Sequence, residues 1–160
     1  MVGMDASSLR LLRHLLADTR LLSLAVLVDG EPLAGVVPFL AAPDLASLVV
    51  HVSRLARHTA GLDSGAPWSG ALQEPDRPEL DALAVPRLVL SGRVVPVPEA
   101  ELEALRTAWG ERFPSAAMTL GLGDFGFRRL AIASGRLVAG FGQAASVAAR
   151  ALAEAAALAS

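Results

Sequence analysis

Along Ser47 to Ser53 apolar and polar positions alternate, with Leu48, Val50 and Val52 on one side and Ser47, Val49, His51 and Ser53 on the other. That two-residue period predicts a half-buried strand. The pattern then breaks into SRLARHTAGL. Ser53 is placed to cap a short helix through Arg54, Leu55, Ala56, Arg57, His58 and Thr59. A helix start carries unpaired N–H groups and partial positive charge. Two arginines, a histidine and two hydroxyls beside such a start make a candidate phosphate site, set against the simpler reading of an ordinary capped helix with solvated arginines.

Other stretches follow the same logic. Ser7 or Ser8 opens a helix with Leu9, Leu12, Leu15 and Leu16 on its inner side. Arg10, Arg13, His14 and Asp18 fall on its outer side, and His14 is read as solvated. Arg20 to Val28 and Glu31 to Leu40 form a hairpin around Asp29-Gly30. Gly35 and Pro38 interrupt its second strand, which marks a bulge, an edge, or a place where something flat lies on the backbone. Trp68 to Gln73 reads as a short strand and Glu79 to Ala84 as a helical turn. Pro86 to Val97 reads as a long strand with Arg87, Val89, Ser91 and Arg93 along one face. Pro98-Glu99 begins a helix carrying Leu102, Leu105 and Trp109. Phe125 to Ala133 and Arg136 to Gly142 read as strands joined by a turn at Ser134-Gly135, and Ala144 to Leu158 as a helix.

Strands joined mostly by tight turns imply an antiparallel sheet that curls to hide its edges. The expected fold is mainly β with flanking helices: a six-stranded antiparallel Greek-key barrel. Residues 1–160 are expected to form one domain, with an N-terminal helix in 1–19 and a C-terminal helix in 143–160.

Composition narrows the chemistry. The chain has no Cys, so disulfides, thiolate metal sites and a cysteine nucleophile are excluded. Every Lys-or-Arg position is Arg, yet the formal charge is -2, which argues against a nucleic-acid partner. No signal-peptide pattern or long apolar run is present, so no membrane partner is expected and the expected location is cytoplasmic. Asp, Glu and His are scattered, the histidines lack metal-ligand spacing, and no catalytic residue or metal site is assigned. Neither Gly-rich phosphate fingerprint is met, GLGDFG at 121–126 included.

Five segments in order, LAVLVDGEPLAGVVPFL, SRLARHTAGL, PRLVLSGRVV, GDFGFRRLAI and RLVAGFGQA, cover nearly the whole chain. Together they resemble the pyridoxamine 5'-phosphate oxidase-like FMN-binding split barrels, in the haem-utilisation branch. The resemblance implies a six-stranded split barrel and a homodimer with FMN at the subunit interface. It implies a phosphate held by Ser53, Arg54, Arg57, His58 and Thr59, a flavin ring lined by the backbone of Val36, Val37 and Pro38, and polar contacts from Ser91 and Arg93. It also implies FMN-dependent oxidoreductase chemistry on an unnamed small molecule, or else flavin or haem carriage without turnover. The chain departs from the family at Gly61, where Asn is frequent, and at Gln143, where Arg is usual. No histidine lies near the C-terminus to serve as an axial haem ligand, and no counterpart of the extra C-terminal domain of many members is expected.

Overall fold

The computed structural model describes residues 3–159. Met1, Val2 and Ser160, which the expected terminal helices include, lie outside the described residues. The first helix, Ala6–Ala17 (α1), is capped by Asp5 and not by Ser7 or Ser8: the Asp5 carboxylate accepts the Ser8 N–H at 2.9 Å. α1 buries Leu12, Leu15 and Leu16 against the sheet.

Strands Leu21–Val28 (β1) and Glu31–Pro38 (β2) pair antiparallel with Val28 opposite Glu31. Asp29 and Gly30 have φ of 53° and 77°, the paired left-handed conformation of a tight hairpin turn. Then come Leu40–Ala41 (β3), Ser47–Ser53 (β4), Pro67–Gln73 (β5), Arg87–Val95 (β6), Phe125–Gly140 (β7) and Gln143–Val147 (β8). Helices Leu102–Arg112 (α2), Ala117–Leu120 (α3) and Ala149–Ala156 (α4) flank them. The sheet has eight strands, not six, in the order β2-β1-β5-β6-β7-β4-β3, with β8 added alongside β7.

β2 and β3 stand at opposite ends of that order, yet only Phe39 separates them in the chain. Neighbouring Cα atoms are about 3.8 Å apart. The two ends of the sheet must therefore meet, and the sheet curls into a split barrel. Leu24, Val26, Leu48, Val50, Leu88, Leu90 and Leu130 fill the interior.

Three local expectations are corrected. β4 is buried from Ser47 through Val52, on both faces. Leu48, Val50 and Val52 enter the barrel. On the other face Val49 shares a cavity with Ala104, Leu105 and Ala108 of α2, and Trp109 of the same helix packs onto His51. The expected turn at Ser134-Gly135 does not form, and β7 runs straight through it. Gly135 is there for space: a Cβ would lie 2.8 Å from Leu90 Cδ2 and 3.0 Å from the Val89 carbonyl. The start of the expected C-terminal helix is instead β8, held by its ladder to β7, and α4 begins only at Ala149.

Arg13 ties the two terminal helices together by donating to the Ala155 and Ala156 carbonyls at 3.2 and 3.1 Å. His14 is not free in solvent. Its Nδ1 meets the Asp18 carboxylate at 2.8 Å, and its Nε2 meets Glu74, just beyond β5. The hydrogen bond to Asp18, with the negative charge of Glu74, raises its pKa above the ordinary 6.5 against a smaller opposing effect of partial burial.

A further contact anchors the segment after β4. Arg57–Gly61 forms a 3-10 turn that lies on β1. A Cβ on Gly61 would sit 2.7 Å from the Leu27 carbonyl and 2.8 Å from the Val26 side chain. Gly61 is the one residue type that fits without displacement.

Two outcomes are expected. A raised pKa means the protonated His14 favours the folded state, so its contribution is present below the unfolded value and lost as pH rises through the folded value. The melting-temperature gap between wild type and His14→Gln should be widest below about pH 6.5 and should narrow in alkaline buffer. Gly61→Ala should lower the unfolding free energy in denaturant titration by about 1–3 kcal/mol through overpacking on β1.

Candidate functional site

The end of β4 and the start of β7 build the basic turn together. Ser53 pairs with Phe125 in the ladder, and the Arg54 N–H donates to the Asp124 carbonyl at 2.8 Å. Ser53 Oγ donates to the Asp124 carboxylate at 2.7 Å and accepts the Leu55 N–H at 3.1 Å. The capped helix expected from Ser53 is therefore absent. The chain makes a turn at Arg54-Leu55, and the five-residue 3-10 turn that follows starts from Ala56 with no side-chain cap. Thr59 is buried and its hydroxyl donates back to the Ser53 carbonyl.

Both hydroxyls of the expected phosphate set are thus used internally, and a carboxylate stands beside one of them. The cations are different. Arg54 is exposed and reaches only the Gly123 carbonyl, at 3.4 Å. Arg57 is exposed and, among the described residues, has no hydrogen-bond or ion-pair partner. His58 lies over β2, with its Nδ1 3.3 Å from where a Gly35 Cβ would be. β2 is an end strand of the sheet and pairs with β1 in unbroken register, so Gly35 stands on an edge as expected and is not a bulge. It makes room for the His58 ring, and so joins the arginine turn to β2. Val36 and Pro38 are exposed on that strand, while Val37 is turned into the barrel core.

Ser91 and Arg93 stand apart from this turn, on the outer face of β6. Ser91 Oγ lies 3.1 Å from Ser134 Oγ, and Arg93 donates to the Gly65 carbonyl at 3.4 Å. Among the described residues neither hydrogen-bonds to the arginine turn. Small side chains occupy much of the outer face they belong to. Val36, Ser23, Ala71 and Val89 align in one row across β2, β1, β5 and β6. Ala34, Ala25, Ser69 and Ser91 align in the next.

The structure adds a site that sequence reasoning missed. A cleft of about 580 Å³ opens between β4, the end of β2 and the α2–α3 region. Arg20, Pro38, His51, Trp109, Phe113 and Phe125 are among its lining residues. His51 is only 8% exposed, with ring centroids of Phe127, Phe125 and Trp109 at 4.5, 5.2 and 5.7 Å. Burial pushes its pKa below the ordinary 6.5 and the positive Arg106 nearby adds to this, so the imidazole is neutral at neutral pH. Among the described residues, neither ring nitrogen has a hydrogen-bond partner. Arg20 stands at the rim, its guanidinium carbon 5.3 Å from the Phe113 ring centroid. The alternation of Phe125 and Phe127 was a visible signal. Their register opposite Ser53 and His51 was not, because it depends on pairing across the sheet.

No protein-family model matches the chain, and no match emerges among curated proteins. Solved structures do match. The heme-binding protein of Mycobacterium smegmatis is 28% identical with a TM-score of 0.80, the match covering 95% of this chain and 62% of that one. This chain therefore spans less than two thirds of that protein. A second solved structure is 31% identical with a TM-score of 0.79, covering 93% of this chain and 97% of its own. HutZ of Vibrio cholerae, a heme storage protein, is 24% identical with a TM-score of 0.65 over 79% of this chain and 89% of its own, a likeness of fold alone. With the curled antiparallel sheet and its flanking helices, these likenesses show the pyridoxamine 5'-phosphate oxidase-like split-barrel fold, shared with heme-binding and haem-utilisation proteins.

Proposed function

We propose that this protein is an FMN-binding flavoprotein that acts as a homodimer, with its phosphate site at the arginine turn. One observation carries the reading: among the described residues Arg57 has no hydrogen-bond or ion-pair partner, and it is exposed beside Arg54 and the His58 ring that bridges to β2. A phosphate monoester brings nearly two negative charges and several acceptor oxygens, which suit guanidinium donors. The donor set that fits is Arg54, Arg57 and His58, while the hydroxyls of Ser53 and Thr59 are engaged elsewhere. Val36 and Pro38, exposed on either side of the buried Val37, offer backbone and apolar surface to a flat ring. The small-residue wall across β2, β1, β5 and β6 is the surface offered to a twin subunit, since a two-fold contact uses the same patch on both copies. Ser91 and Arg93 belong to that wall, and their role in this reading is at the interface.

Bound flavin would supply electron transfer to or from a small-molecule substrate. The chain's own part is to grip the phosphate, orient the ring and close the cleft with its twin. A second reading is haem binding without turnover. The aromatic cleft around His51 favours it, and so does the likeness to the mycobacterial heme-binding protein.

Two substitutions test the phosphate assignment by FMN titration. Arg54→Ala combined with Arg57→Ala should weaken FMN binding by about tenfold or more and leave the melting temperature of the cofactor-free protein nearly unchanged. Unchanged affinity would contradict the assignment. Asp124→Asn keeps a partner for the Ser53 hydroxyl and removes a negative charge from the turn. It should strengthen FMN binding by a factor of about two to ten.

A further inference from the structure

The cleft between β4 and α2 does not overlap the arginine turn. None of Ser53, Arg54, Arg57, His58 or Thr59 lines it. Its volume of about 580 Å³ lies in the usual range for cofactor and drug-sized sites, about 300–1,000 Å³. Most of its wall is aromatic or aliphatic, and His51 is the nitrogen donor in it.

Resting on the haem reading above, we infer that this cleft is the haem site and that His51 is the axial ligand to the iron, with Arg20 at the rim paired to a propionate. An imidazole is a common proximal ligand to haem iron. It must be neutral to donate its lone pair, and among the described residues no hydrogen-bond partner competes for either His51 nitrogen. Ligating histidines are usually oriented by a hydrogen bond from the second ring nitrogen. Here orientation comes from packing instead. The Phe127 ring lies at 4.5 Å with a 38° tilt, Phe125 at 5.2 Å with 37°, and Trp109 closes a third side. Arg20 makes its cation–π contact on Phe113 and keeps its guanidinium exposed for a carboxylate.

The test is titration of ferric haem into the full chain, followed by Soret absorbance and electron paramagnetic resonance. Wild type should bind with the signature of a nitrogen axial ligand. His51→Phe keeps a ring in the aromatic cluster, and its melting temperature checks the fold. It should lose that signature and bind haem at least about tenfold more weakly. Added imidazole should restore the signature, and His51→Gln should behave as His51→Phe does. Arg20→Ala should weaken binding and leave the signature intact. Haem uptake by both His51 variants with wild-type spectrum and affinity would overturn the His51 assignment and leave the haem reading standing. A wild type that takes up no haem would overturn both.

Discussion

Phe39 is one residue long as a connection, and it joins the two ends of an eight-stranded sheet. No flat arrangement can satisfy that link, so the sheet must curl until β2 approaches β4. The consequences spread from there. Curling carries the segment after β4 onto the first hairpin, where Gly61 lies on β1 and His58 lies on β2 at Gly35. It leaves the outer face of β4 uncovered by strands, and α2 fills that space with Trp109. It also turns one wall of small side chains outward on β2, β1, β5 and β6. The arginine turn, the aromatic cleft and the small-residue wall all follow from one closure.

Electrostatics then separates the two candidate sites. The arginine turn is exposed, and Asp124 offsets part of its charge while occupying Ser53. An anion there depends on guanidinium contacts that water and salt weaken. His51 in the cleft is largely buried, and that burial favours its neutral imidazole. One place suits a phosphate tail. The other suits a flat, apolar ligand that needs a nitrogen donor.

The first hairpin was legible because Asp29-Gly30 encodes its turn within two residues. The long strand β6 was legible for the same local reason: Leu88 and Leu90 alternate with Val89 and Ser91 without interruption. Where sequence reading failed, a distant partner decided. Ser53 has the chemistry of a helix cap, but Asp124, 71 residues away, takes its hydroxyl. Ser134-Gly135 has the composition of a turn, but Gly135 is glycine because Leu90 and Val89 leave no room for a side chain. Gln143 to Val147 has the alanine content of a helix, and its ladder to β7 makes it a strand. His14 has the look of a solvated helix residue until Glu74 closes on it from the sheet. His51 gave no signal at all, since its neighbours Phe125, Phe127 and Trp109 are assembled only by the fold.

The placement of a flavin phosphate on the arginine turn, with a second subunit over the small-residue wall, is tested most directly by one measurement. The purified protein is mixed with FMN, passed through gel filtration with light scattering, and read for visible absorbance. We expect flavin absorbance to travel with a particle of twice the chain mass, at one flavin per chain. A colourless monomer would contradict it.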